Sequence, residues 1–413
     1  MKNLTLWNRL RSRTVASHPN AILMNRRTLL GAACCGATAS ALWGASVVQA
    51  AQVVQAVQTV ATANGARVVR FGQSASLSGG QAAYGKDVQA GVVAALAAAS
   101  AQDAGNGVRY ELHTIDDGGV RSNCLRNAQA LVDSGVLALL GLTSGAGAEA
   151  CLPLVEDARI AMLGTASGNM GIRSAKVSGA FHVRAGYDAE YQRMVAYVKD
   201  VGIQRVGVVY LGDTSKANLD AMTQALARNA ITPSITIAID RNTTGFDAEV
   251  ARLIAARLDC VLFTTNAGPV AQIIDGMRKA HYGGLFYASS FAGQDLINTL
   301  SARQQSCVMS VVVPRPTSQK LSIVAQCQRD LALWGGGATV GITTLEGYIA
   351  GRVAVEAARA ALRSGTLSRD RVREALAGLR TDLGGYPVSF TGGPQGSRYV
   401  ELVALDRFGR LVG

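Results

Sequence analysis

Short apolar runs alternate with helix-spaced segments along most of this chain. Residues 68–72 read as a mostly apolar strand. From Lys86 onward, Val88, Val92, Val93 and Leu96 recur on one side of a helix. Residues 108–114 alternate like a strand and run into Asp116-Asp117-Gly118, and 127–132 belong to a helix. The unbroken apolar run 136–142 predicts a strand buried on both faces of a parallel sheet. A helix over 148–155 and a strand over 160–163 follow. Beyond the short strand 181–184 and a helix over 187–198, a second series begins with a strand at 206–210. Further strands are expected at 235–239, 260–264 and 285–288, with helices around 219–228, 246–256 and 270–280 between them. Strand–helix alternation of this kind implies right-handed crossovers and parallel sheets, so the chain is of the α/β class.

Three early strands end in loops of small polar residues: Ser74 to Gly80, Thr143-Ser144-Gly145-Ala146-Gly147 and Gly164-Thr165-Ala166-Ser167-Gly168-Asn169. Any one of them reads as a tight turn. Three on the same rim of a parallel sheet make a polar pocket the better reading, because ligands of open α/β sheets sit outside the carboxyl ends of the strands. Unpaired N–H groups at helix starts suit that rim to anions.

These residues, taken in order, resemble the Leu/Ile/Val-type (type I) periplasmic binding proteins, the solute receptors of ABC importers. The family opens with a strand, S-G-P, an aromatic, Gly and a long helix. Here Ser78-Gly79 is followed by Gly80 in place of Pro, then Tyr84-Gly85. Asp116-Asp117, the 143–144 and 164–169 loops, the crossing at 181–184, and Asn242-Thr243-Thr244-Gly245-Phe246 also match. So do Leu345-Glu346-Gly347-Tyr348, the closing hairpin from Leu383 and the strand 400–405. The resemblance spans 66–413 and implies two Rossmann-like lobes with parallel sheets, joined by a three-stranded hinge. Lobe 1 would hold 66–184 plus 316–378, and lobe 2 would hold 185–315 plus 379–413, with the run 308–313 crossing back. It further implies a ligand held between the lobes. Tyr84 would cover it, and Ser144, Ala166, Ser167 and Gly168 would hold its polar head. Tyr210, Asp213, Asn266, Ser289 and Phe291 would come from the second lobe. Some relatives join the regions of Cys124 and Cys151, which makes this pair the disulfide candidate, with two buried thiols as the alternative; an exported protein can keep such a bond.

Composition and charge refine the picture. The 413 residues carry a formal charge of +12, but six basic residues and no acid lie in the first 50. Without that segment 34 basic and 28 acidic residues remain, a net +6. No dense basic run interleaves with aromatics, which argues against nucleic acid as a partner. Residues 24–50 have a basic start at Asn25-Arg26-Arg27, a weakly apolar run and a Val48-Gln49-Ala50 ending, so 1–50 is expected to be an N-terminal extension and export signal of the twin-arginine type. Residues 51–65 read as a linker, and the expected location is the periplasm.

Enzyme signatures are missing: there is no G-x-S-x-G, H-E-x-x-H or G-x-x-x-x-G-K-[ST]. The four histidines are scattered, and no Cys pair has metal-site spacing. The expectation is therefore a monomeric receptor, not an enzyme, needing no cofactor or metal and partnered by a permease and an ATPase. A signalling receptor, or an exported Rossmann-type enzyme, are the alternatives. Amino acid receptors of the family hold the ammonium with a Glu near the return crossing. No acid occurs from Leu296 to Arg329, and Cys307 or a neighbour stands at the matching place. The expected ligand is thus a small carboxylate or amide-type solute, with an amino acid behind it.

Overall fold

The computed structural model describes residues 67–174, 177–240 and 243–413. The expected export segment and linker, and Asn242 of the helix-start motif, lie outside the described residues. The described residues group as one compact unit.

The first half alternates as read. Its elements are β1 (Arg67–Ala75), α1 (Ala82–Gln102), β2 (Val108–Asp116), α2 (Arg121–Asp133), β3 (Ala138–Leu140), α3 (Gly145–Ala150), α4 (Leu152–Asp157), β4 (Ala161–Leu163) and β5 (Ala180–Phe181). One difference is local. The helix expected over 148–155 is two short helices, broken at Cys151. Pro153 opens the second of them, where its missing N–H costs nothing. The five strands form one parallel sheet in the order β2-β1-β3-β4-β5.

The second half holds α5 (Tyr187–Asp200), β6 (Val206–Leu211), α6 (Lys216–Arg228), β7 (Ile235–Ile239), α7 (Asp247–Ala255), β8 (Cys260–Thr264), α8 (Ala267–Lys279), β9 (Leu285–Ala288), α9 (Gly293–Ala302) and β10 (Cys307–Val311). Then follow α10 (Ser322–Trp334), α11 (Ile342–Arg363), α12 (Arg369–Ala377), β11 (Arg380–Asp382), β12 (Pro387–Ser389), β13 (Glu401–Leu405) and β14 (Leu411–Val412). The second sheet runs β14-β13-β10-β9-β8-β6-β7, antiparallel only where β13 joins β10 and β14. The run at 308–313 is mainly strand β10 of this sheet, and the chain crosses back just after it.

Three crossings tie the two sheets together. His182 N–H donates to the Pro394 carbonyl and Gly396 N–H to the His182 carbonyl, each at 2.8 Å. The buried Tyr386 hydroxyl donates toward the carbonyls of Val183 (2.8 Å) and Val312 (3.2 Å), touching the first two crossings from the third. The family's L-E-G-Y run has a packing cause. A Cβ on Gly347 would strike the Val88 carbonyl, and one on Gly91 the Thr344 carbonyl, so α1 and α11 meet backbone to backbone. Among the described residues, no helix is long and apolar enough to cross a membrane.

Candidate functional site

The carboxyl ends of β1, β3 and β4 deliver their loops to one rim, as their patterns predict. Gly141 and Gly164, just past β3 and β4, turn the chain with φ of 66° and 61°, a region glycine enters without strain. The loop after β1 spends its polar groups internally. Ser74 and Ser76 hydroxyls each donate to Asp117 at 2.9 Å, and Asp116 accepts the N–H groups of Leu77, Ser78 and Gly118. The Ser78 hydroxyl and these N–H groups stabilise the charged form and hold Asp116 down at about 2. Ser76 N–H donates to Thr143 Oγ1 at 2.9 Å, which fixes this loop to the one after β3. The Asp-Asp pair is therefore a brace for the rim.

Facing this rim are the carboxyl ends of β6, β8 and β9. Between the two lies a cavity of about 50 Å³, room for a few water-sized groups. From the first sheet it takes Thr143, Ser144, Ser167 and Asn169, with Gln81 from the opening loop. From the second it takes Asp213, Thr214, Ser215, Asn218, Thr264 and Phe291. Tyr187 and Tyr191, one helical turn apart on α5, stack with ring centroids 5.6 Å apart, and Phe291 stands 6.2 Å from Tyr187. Burial first of all pushes both tyrosines above their usual range, so they remain neutral donors at ordinary pH. The Ser167 and Tyr187 hydroxyls are 3.4 Å apart. Among the described lining residues the one carboxylate is Asp213, and none is Lys, Arg or His. The two sides meet directly at the mouth: Met170 N–H donates to Asn218 Oδ1 at 2.7 Å, and the Ser215 hydroxyl lies 3.4 Å from Glu149.

Beside this cavity is a buried charge cluster that the sequence reading did not find. Arg184, on the first crossing, donates to Glu190 Oε1 of α5 at 2.5 Å and to both oxygens of Glu346 of α11 at 3.2 and 3.4 Å. The three side chains are 1%, 0% and 6% exposed. Burial works against the Arg184 charge, but the two carboxylates outweigh it and raise its pKa. Glu190 also accepts from Ser290 N–H, Ser290 Oγ and Ser310 Oγ. Glu346 has only Arg184 among these donors, and burial pushes it above the usual carboxylate range. Glu190 and Glu346 thus share one guanidinium, a net charge of −1 for the three side chains when both acids are ionised, while Asp213 is the acid in the cavity lining itself. The signal was present as Arg184 and Glu190 around the crossing, but Glu346 joins them from 156 residues further along.

Of the ten expected site residues, Ser144, Ser167, Asp213 and Phe291 come together in the cavity lining. Tyr84 reaches behind it, donating its hydroxyl to the Ala166 carbonyl at 2.7 Å. Gly168 lies against the Tyr187 ring. Tyr210 lines a smaller void of about 10 Å³ with Tyr191 and Thr264. Asn266 is the residue preceding α8, and Ser289 is buried with its hydroxyl unpartnered after β9. Tyr187, Tyr191, Thr214 and Asn218 were missed; their legible mark was i, i+4 spacing just past a crossing or strand end. Cys124 and Cys151 are both fully buried and are free thiols that face each other, side chain to side chain. His182 is buried and neutral, kept so first by burial, with Nε2 3.0 Å from the Ile172 carbonyl. No group of three His, Cys, Asp or Glu that could hold a metal occurs among the described residues.

Two α/β halves on a triple crossing, closed over a small polar cavity, define a two-lobed binding protein. Residues 68–405 match the family model described as periplasmic binding protein, and the chain belongs to that family. The structure is similar to that of a possible leucine/isoleucine/valine-binding protein from Rhodopirellula baltica SH 1, with 25% identity and a TM-score of 0.78 over 86% of this chain and 98% of the other. It is also similar to a branched chain amino acid ABC transporter protein from Thermus thermophilus with bound valine (16%, 0.76, 84% and 95%). A third similar structure is an ABC transporter solute binding protein from R. palustris in complex with 4-hydroxybenzoate (18%, 0.71, 84% and 95%). No curated protein matches the sequence.

Proposed function

We propose that this protein is an extracytoplasmic solute-binding receptor of an ABC importer. It closes its lobes, divided at 66–184 plus 316–378 and 185–315 plus 379–413, on one small ligand. It then presents that ligand to a permease and its ATPase. Export through the 24–50 signal to the periplasm belongs to the same reading. The observation that carries it is the cavity between the two sheets, lined from both by hydroxyls and amides and walled by Tyr187, Tyr191 and Phe291.

The lining supports a ligand with a carboxylate or amide head. Hydroxyls of Ser144, Ser167, Thr214 and Ser215 hold such a head by hydrogen bonds without a salt bridge. The stacked tyrosines favour a planar or aromatic body. Arg184 already pairs with both Glu190 and Glu346, which leaves Asp213 as the lining carboxylate an ammonium could use, against a lining otherwise made of hydroxyls, amides and aromatic rings. A small carboxylate or amide therefore ranks ahead of a branched-chain amino acid. A thermal-shift screen tests this, since a ligand that binds only the folded state raises the melting temperature with its concentration. Small aliphatic and aromatic acids or amides should do so. Response to leucine and valine alone would overturn the ligand class, and closure without any transported solute would favour a sensing role.

A further inference from the structure

On the side of the cleft away from Asn218, the two lobes meet through helix ends. Gln294 N–H, in the first turn of α9, donates to Thr343 Oγ1 of α11 at 2.9 Å. In return Ile342 N–H, the first of α11, donates to Gln294 Oε1 at 3.0 Å. Each helix thus satisfies one orphan N–H of the other, a capping exchange that exists only while the lobes are closed. Gly293 lies against the Tyr84 ring of α1 at the same joint. Two half-buried acids flank this contact, Asp87 one helical turn past Tyr84 on α1 and Asp295 two residues past Gly293 on α9.

We propose that this joint is a pH-responsive latch, in which reciprocal capping holds the lobes closed and protonation of the Asp87–Asp295 pair relieves the repulsion that opposes it. Burial first, and then the Asp295 charge, push Asp87 up to about 6, and burial raises Asp295. The other charged groups on elements packed around the pair are engaged elsewhere or turned away. On α11, Glu346 holds Arg184, Arg352 bonds Gln326 and Tyr348, and Arg359 bonds Asp103 and Glu356. On α10, Asp330 accepts from Tyr348, and Arg329 is exposed. On α8, Asp275 pairs with Lys279, and Arg278 stacks on Phe286. On β2, Glu111 pairs with Arg70 and Arg109, His113 is exposed, and Asp116 braces the opening loop. Lys86, beside Asp87 on α1, is exposed.

The sign follows from linkage. A carboxyl raised in the closed form takes up a proton on closing, so closure gains as pH falls through about 6 and the gain saturates near the ordinary value of 3.8. Between pH 8 and pH 5 the closed-to-open ratio rises up to about tenfold for Asp87 alone. The inference rests on the two-lobed reading but needs no ligand. Solution scattering on the ligand-free protein from pH 8 to pH 5 is the test, and it can fail while the ligand screen succeeds. The radius of gyration should contract on acidification in the wild type. It should be small and flat with pH in Asp87→Asn/Asp295→Asn, and larger at pH 5 in Gln294→Ala. A wild-type radius unchanged between pH 8 and pH 5, a pH response surviving in the double Asn variant, or an unmoved Gln294→Ala would each overturn the latch. The wild-type series alone decides the matter should a variant fail to fold.

Discussion

Replacing Arg184 by Met removes, from a site that is closed to solvent, the cation hydrogen-bonded to Glu190 and Glu346. Two carboxylates, Glu190 and Glu346, would then sit buried without a bonded counter-charge, Arg173 acting on them only through space. Breaking a buried pair from one side costs about 3–5 kcal/mol, a large share of the roughly 5–15 kcal/mol that holds a domain folded. At about 2–4 °C per kcal/mol for chains of this order of size, the melting temperature should fall by roughly 10 °C. Glu346→Gln should be much milder. Arg184 keeps Glu190, and a neutral side chain at 346 no longer pays the desolvation that raises the native carboxyl. The pH dependence separates charge from packing. The folded pKa of Glu346 lies above its unfolded value of 4.5, so its contribution is most favourable below that value and is lost as pH rises through the folded one. Without Arg184 to offset burial, the deficit of Arg184→Met should narrow between pH 7 and pH 5. Urea and thermal unfolding at both pH values measure this. A deficit under about 1 kcal/mol, or equal losses in Arg184→Met and Glu346→Gln, would refute the reasoning.

Ser167→Leu should abolish ligand binding by calorimetry and also lower the melting temperature, since residue 167 lines the cavity but is buried against Gly145 with its hydroxyl accepting Asn169 N–H; unchanged affinity would remove it from the site. Gly347→Ala should cost about 1–3 kcal/mol or more, because its methyl meets the rigid Val88 carbonyl. Gly268→Ala in α8, where nothing lies within 4 Å, should be neutral or stabilise by up to about 1 kcal/mol in the same unfolding assay. Protein recovered from an oxidising compartment should carry a Cys124–Cys151 disulfide in unreduced peptide maps, given how the two thiols face each other; free thiols at both positions would end that expectation.

Periodicity alone located most of the strands. β7, β8 and β9 begin and end where the apolar runs do; β8 is nearly apolar throughout because it is buried along its whole length, whereas β7, at the sheet edge, alternates between buried and exposed residues. The polar rim was legible for the same reason: small residues at three successive strand ends have no core to fill. Ser144, Ser167, Asp213 and Phe291 were accordingly placed at the cavity from sequence and resemblance. What sequence could not supply was the direction in which each polar group is spent. The loop from Ser74 to Gly80 read as part of the polar rim, yet Asp117, about 40 residues on, takes the hydroxyls of Ser74 and Ser76. Glu346 read as part of a helix motif, yet folding sets it on Arg184, 162 residues earlier. Long-range pairs of this kind depend on how two sheets and three crossings are set in space, and local spacing carries no record of that. The order of strands and helices is therefore written along the chain, whereas the matching of buried charges and the shape of the cavity exist only once the lobes are assembled.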